Sequence, residues 1–123
     1  TRDINKGKID IFGLFQDGNL IGEIHVAYVH SDERFAVRNK RVYLFAFRVH
    51  EDFQGKGYGQ FLMNEVVSIL SEKGYSEFTI GVEDDNEMAI HIYSKLGFTQ
   101  LIGRISEKYQ GDSYEYGLYL RSL

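Results

Sequence analysis

The chain has no cysteine, no proline and no surplus of positive charge, and no apolar run in it approaches the roughly 20 residues that a membrane-spanning helix requires. Without cysteine there is no disulfide, no thiolate zinc site and no cysteine nucleophile, so acyl transfer would have to proceed without a Cys-bound intermediate. Without proline, the loop that ends the most apolar stretch has no pre-set φ. The 18 acidic residues outweigh 14 basic ones for a net charge of −4, which leaves no basic surface for a phosphate backbone and argues against nucleic acid as a partner. A basic-then-apolar signal layout is also missing from the N-terminus. These absences predict a cytoplasmic protein with no membrane partner. At 123 residues the chain is expected to form a single domain over 1–123. It opens on Thr1, not methionine, and close to its first predicted strand, as a trimmed N-terminus would.

What is present has a clear order. Lys8 to Phe15 alternates weakly, Asp17-Gly18 is a hairpin signal, and Leu20 to His30 gives a second strand. Ser31 to Arg41 is polar and charged and reads as a solvated loop. Val42 to Val49 is nearly all apolar, as in a central strand buried on both faces. Leu62, Val66, Ile69 and Leu70 then follow a helical period that Gly74 stops, and Phe78 to Glu83 is a short strand, which together predict a parallel βαβ unit. Asn86 is placed to cap a second helix with Ala89, Ile92, Tyr93 and Leu96 as its apolar stripe and Gly97 as its end. Phe98 to Glu107 and Tyr114 to Leu120 form a last hairpin, with a turn around Gly111-Asp112.

The chemistry concentrates in Gln54-Gly55-Lys56-Gly57-Tyr58-Gly59, between the apolar strand and the first helix. Such a turn leaves backbone N–H groups unpaired at the positive end of a helix, where phosphate binds readily. A nucleotide P-loop would need Ser or Thr after Lys56, where this chain has Gly57, and a dinucleotide fingerprint would need a third glycine at Gln60. The residues instead spell Q-x-x-G-x-G. This resembles the pyrophosphate motif of the GCN5-related N-acetyltransferases (GNAT), and Asn86 to Phe98 resembles that family's N-x-x-A-x-x-x-Y-x-x-x-G-F signature. The resemblance covers roughly Val42 to Phe98. It implies an α/β (α+β mixed) fold with a central mixed, mostly antiparallel sheet flanked by helices, its usual first strand and early helices lacking or compressed into residues 1–7.

The resemblance also implies acetyl-CoA as cosubstrate, no metal, and a small-molecule or peptide amine as acceptor. It implies that a bulged strand lets its end, at Phe47, Arg48 and Val49, polarise the thioester through backbone amides, while the side chains of Phe45, Phe47 and Val49 pack in the core. Gly55 to Gly59 would hold the pyrophosphate, with Gly57 and Gly59 allowing close approach. Lys56 reads either as a point charge for the phosphates or as an exposed lysine, Asn86 as cap and cofactor contact together, and Tyr93 as the acid for the leaving thiolate. For the base, Glu23, Tyr43, Glu83 and a water relay stay open, because the carboxylates that some relatives carry where this chain has Tyr43 and Gly81 are missing. The histidines, His25, His30, His50 and His91, and the run Glu83-Asp84-Asp85 show no metal-ligand spacing. A non-catalytic acyl-CoA-binding module is the alternative reading. The tyrosine-rich strand Tyr114 to Tyr119 suggests a homodimer contact.

Overall fold

The computed structural model describes residues 9–123, with Tyr109 described by its backbone alone. The chain runs β1 (Ile9–Gln16), β2 (Asn19–Ala27), β3 (Arg41–Val49), a 3-10 turn (Glu51–Phe53), α1 (Tyr58–Glu72), β4 (Glu77–Glu83), α2 (Glu87–Lys95), β5 (Gln100–Tyr109) and β6 (Asp112–Ser122). Six strands make one sheet in the order β1-β2-β3-β4-β6-β5, antiparallel throughout except for the β3–β4 pair. The parallel pair is the expected βαβ unit. Any compressed remnant in residues 1–7, and the start of the first strand at Lys8, lie outside the described residues. Among those residues no helix is long and apolar enough to cross a membrane.

Both hairpins close through two residues with positive φ, Asp17 (53°) with Gly18 (83°) and Gln110 (52°) with Gly111 (87°). That geometry matches the twist of the flanking strands. It sets the last turn one residue earlier than the sequence suggests, since Tyr109 pairs with Asp112.

Both helices lie on one face. Leu62, Met63, Val66, Val67 and Leu70 of α1 pack with Ile24 and Val26 of β2, Val42 and Leu44 of β3, and Phe78, Ile80 and Val82 of β4, and Ala89, Ile90, Tyr93, Leu96 and Phe98 join the same core. Two stripe positions are corrected, for Ile69 is 39% and Ile92 48% exposed. At 100° per residue each falls just outside the arc its buried neighbours define.

The segment Ser31 to Arg41 is not the solvated loop expected, since Phe35 and Ala36 are only 3% and 2% exposed. No described helix covers this second face of the sheet, and Phe35 fills it instead. Its ring stacks on His30 at 4.1 Å and meets the edge of Tyr43 at 4.9 Å, and Ile105 and Leu118 complete the cluster. The buried Thr79 hydroxyl donates to Phe35 O at 2.7 Å. Thr79→Val leaves that carbonyl without its donor and is expected to cost about 1–3 kcal/mol, read as a lower denaturant midpoint at unchanged slope.

One local defect shapes the end of β3. Glu23 of β2 faces Arg48, yet His25 faces Phe45, so two steps along β2 span three along β3. The extra residue is accommodated at Ala46, whose φ of 52° puts a non-glycine residue in the left-handed region, a conformation that costs roughly 1–2 kcal/mol. The bulge inverts the side-chain alternation. Tyr43 joins the second-face cluster, whereas Phe47, two positions beyond Phe45, packs on the helix-side core. On the opposite edge of β3, pairing with β4 runs from Arg41–Glu77 to Leu44–Ile80 and stops, although β3 continues to Val49 and β4 to Glu83. An open seam separates the two strand ends.

Candidate active site

The glycine-rich turn is an open cradle. Gln54 does not present its amide outward, because Nε2 donates to Val49 O at 2.8 Å and ties the turn to the end of β3. Gly55 and Gly57 have φ of +76° and +89°, and a Cβ at either would meet nothing within 4 Å. These glycines are needed for backbone conformation, and the space beside them is free. Gly57 caps α1 with no side-chain hydrogen bond, and the first helical bond runs from Phe61 N–H to Gly57 O at 3.0 Å. The amides of Tyr58, Gly59 and Gln60 therefore point out of the positive helix end.

The remaining cradle side chains hold it in place. Tyr58 packs edge-on against Phe53 at 5.8 Å and donates to Gln16 Oε1 at 3.3 Å, anchoring the turn to the first hairpin. Gly59 differs from expectation. A Cβ there would sit 3.4 Å from Phe47 and 3.5 Å from Val49, so its small size serves close helix–strand packing. Lys56 is exposed.

Between the first turn of α1 and the last turn of α2 runs a groove of about 260 Å³, lined by Phe47, Gly59, Gln60, Ile92, Lys95 and Leu96. It accounts for the exposure of Ile92. Tyr93 stands beside it, its ring 6.0 Å from Phe47 and 6.3 Å from Phe98. Burial pushes its phenol above the usual range, so it is fully protonated at neutral pH. Its hydroxyl makes no hydrogen bond among the described residues. Asn86 performs the capping part of its expected role, its Oδ1 accepting from Ala89 N–H at 3.0 Å.

On the second face the seam opens into a cleft of about 260 Å³ lined by Tyr43, Gly81, Glu83, Glu107 and Tyr116. A Cβ on Gly81 would lie 2.8 Å from the Tyr116 ring. That ring fills the space a carboxylate at Gly81 would need. Burial raises the phenols of Tyr43 and Tyr116, with the neighbouring Glu107 carboxylate adding to both and Tyr43 adding to Tyr116.

The structure separates the two carboxylates proposed as bases. Glu83 lines this cleft, whereas Glu23 is held by Arg48 Nε at 3.2 Å and His25 Nε2 at 3.4 Å, beside a different cleft of about 200 Å³. The Arg48 side chain is thereby occupied, and only its backbone remains for the strand-end role. Asp84, in the acidic run, pairs with Arg104.

The alkaline limit of the fold follows from four phenols. Tyr28, Tyr43, Tyr93 and Tyr116 are all raised chiefly by burial, Tyr28 also by its 2.8 Å bond to Asp10. Their native pKa exceeds the unfolded value of 10.0, so the unfolded chain loses protons first. Stability is expected to be flat toward pH 10 and to fall as pH rises beyond it, measured as denaturant midpoint against pH.

Residues 3–98 match the family model described as the acetyltransferase (GNAT) family, and the chain belongs to that family. Streptothricin acetyltransferase of Streptomyces lavendulae is 31% identical over 106 residues, 85% of this chain and 52% of the relative. A probable acetyltransferase from Staphylococcus epidermidis has the same fold at a TM-score of 0.80 with 16% identity, over 98% of this chain and 71% of that one. A GNAT acetyltransferase from Elizabethkingia anophelis, solved with acetyl-CoA bound, aligns at a TM-score of 0.74 with 17% identity, over 96% of this chain and 78% of that one. The chain spans about half the length, or less, of the curated relatives it matches.

Proposed function

We propose that this chain is the catalytic unit of an acetyl-CoA-dependent N-acetyltransferase that moves acetyl to a primary amine by direct attack in a ternary complex. The observation that carries this reading is the coincidence at one seam of the Ala46 bulge, the open end of β3–β4, the amide cradle and the Tyr93 phenol. The cosubstrate fits what is there: an anion cradle without a cap, leading through an apolar groove to a gap between two strand ends. The Elizabethkingia neighbour with acetyl-CoA bound and the acetyltransferase named among the relatives support the choice.

In this reading acetyl-CoA supplies an activated carbonyl whose leaving group is a thiolate. The amides of Gly55 to Gly59 hold its pyrophosphate, with Lys56 adding a point charge, and Asn86 fixes the start of the helix that carries Tyr93. Backbone N–H groups at Phe47 to Val49, freed from β4 by the seam, stabilise negative charge on the carbonyl oxygen, a contribution of a few kcal/mol for a preorganised donor. The amine enters from the second-face cleft. Its nitrogen bonds to the carbonyl carbon as the C–S bond breaks, its proton passes to Glu83, directly or through water, and the Tyr93 hydroxyl protonates the departing sulfur. Glu23, already paired with Arg48, is the weaker choice of base.

Mixing the chain with acetyl-CoA and a panel of amines tests the proposal by titration of released thiol. The absence of cysteine means that every thiol detected is CoA. Amine-dependent release with an acetylated product is expected. Tight CoA binding with no amine-dependent release would point instead to a non-catalytic acyl-CoA-binding module.

A further inference from the structure

We infer that Glu23 is a positioning residue: by holding Arg48 and His25 across the Ala46 bulge, it fixes the register that turns the backbone N–H groups of Phe47 and Val49 toward the acetyl carbonyl. The inference rests on the acetyltransferase reading above and gives Glu23 a part other than that of base.

The contacts are specific to the bulge. Phe45 and Arg48 are three apart on β3 and would lie on opposite faces of a regular strand. With the extra residue at Ala46 both come to the second face, opposite His25 and Glu23, which are two apart on β2. Glu23 then has one oxygen for each side of the defect. Its Oε2 lies 3.2 Å from Arg48 Nε beyond the bulge, its Oε1 lies 3.4 Å from His25 Nε2, and the His25 ring sits 5.3 Å from Phe45 before it. Phe45 in turn stacks on Tyr43 at 5.4 Å, which ties the near side to the second-face cluster. In an unbulged register Arg48 would turn toward the helix-side core, and its bond to Glu23 could not form.

The same register aims the amides. His50 N–H donates to Ile21 O at 2.7 Å, so the chain at the end of β3 bonds to β2 through His50. Backbone N–H groups alternate between the two edges of a strand. Those of Val49 and Phe47 therefore point to the other edge, where pairing with β4 has stopped. Without the bulge the alternation would shift by one and turn both toward β2. Ala46 favours that shift, because its φ of 52° is unfavourable for a residue with a Cβ, and Glu23 opposes it. The side chains of Arg48 and Glu23 are 64% and 23% exposed, so solvent screens the pair and its loss is expected to loosen the bulge without unfolding the chain.

The test is isotope-edited infrared spectroscopy of acetyl-CoA, labelled at the acetyl carbonyl, bound to the parent chain, to Glu23→Ala, to Arg48→Ala and to the double variant. The Kd for acetyl-CoA, the kcat with an amine that the parent acetylates, and the denaturant midpoint are measured on the same samples. The parent is expected to lower the carbonyl stretch relative to free acetyl-CoA, as donors aimed at the oxygen do. Each single variant is expected to lose most of that shift and about tenfold in kcat, with the Kd changed less than about threefold, and the double variant to be no worse than either. A carbonyl shift that survives Glu23→Ala would overturn the inference, and a fall in kcat beside it would mark Glu23 as a base instead. Additive losses in the double variant would overturn it as well. A parent that binds acetyl-CoA without shifting its carbonyl would remove the strand-end amides, and this role with them, from the chemistry. A parent that binds no acetyl-CoA would remove the acetyltransferase reading itself and this role with it.

Discussion

Replacing Tyr93 by Phe is expected to lower kcat by about a hundredfold, the scale of a lost general acid, with the Kd for acetyl-CoA changed less than threefold. The phenol ring packs between Phe47 and Phe98, and Phe keeps that packing while removing only the hydroxyl. Its hydroxyl has no described protein partner to strand, so stability should be unchanged within about 0.5 kcal/mol. The loss should shrink with acyl donors whose leaving thiol is more acidic, because a stable thiolate does not need the proton. An unchanged kcat would remove Tyr93 from the chemistry and favour the non-catalytic acyl-CoA-binding module. A parallel loss of kcat and acetyl-CoA affinity would show instead that the side chain shapes the groove.

Gly57→Val is expected to weaken acetyl-CoA binding by at least tenfold. Gly57 is the N-cap of α1 at φ +89° with open space beside it. A β-branched residue cannot hold that conformation without strain of about 1–2 kcal/mol or more, and the strain is relieved by turning the amides of Gly57 and Tyr58 away from their common focus. The matched control is Gly74→Ala, beyond the other end of α1, where φ is +104° and nothing lies within 4 Å. It should lose a similar amount of stability and retain acetyl-CoA affinity. Equal loss of affinity in both variants would mean that the effect passes through global stability and that the cradle is no cofactor site.

The parts of this architecture legible in the sequence were those encoded locally. Asp17-Gly18 sets its own hairpin, Asn86 caps its own helix, and the spacing of Gly55, Gly57 and Gly59 marks the cradle without knowledge of any distant residue. Elements that depend on long-range pairing were not legible. The bulge was expected only through the family resemblance, and no residue around Ala46 announces it, because the extra residue is defined by the register of β3 against β2. Phe35, in the short run Phe35-Ala36-Val37 of an otherwise polar segment, had no legible partner until the second face supplied it with His30, Tyr43 and Thr79. Glu107 and Tyr116 were missed for the same reason. Each sits in an ordinary alternating strand, and only the insertion of β6 between β4 and β5 brings them to Glu83. Of the C-terminal tyrosines that suggested a homodimer contact, Tyr116 lines the cleft and Tyr119 packs on the main core. Gln60, Ile92 and Lys95, which line the groove, lie one or two positions from motif residues, and Ile92 and Lys95, three apart, share a helix face beside that of Tyr93.

The measurement that bears most directly on the central claim is thermal unfolding of the chain alone and with acetyl-CoA, CoA, ATP and NAD in separate samples. A ligand that binds only the native state adds about 2.7 kcal/mol at a hundredfold excess over its Kd, which for a domain of this size raises Tm by roughly 10 °C. The cradle, groove and seam together predict that shift for acetyl-CoA and CoA and a much smaller one for ATP and NAD, which share the pyrophosphate but lack the arm that would enter the seam. Equal shifts for all four would reduce the site to a general phosphate cradle, and no shift with either CoA species would contradict the account.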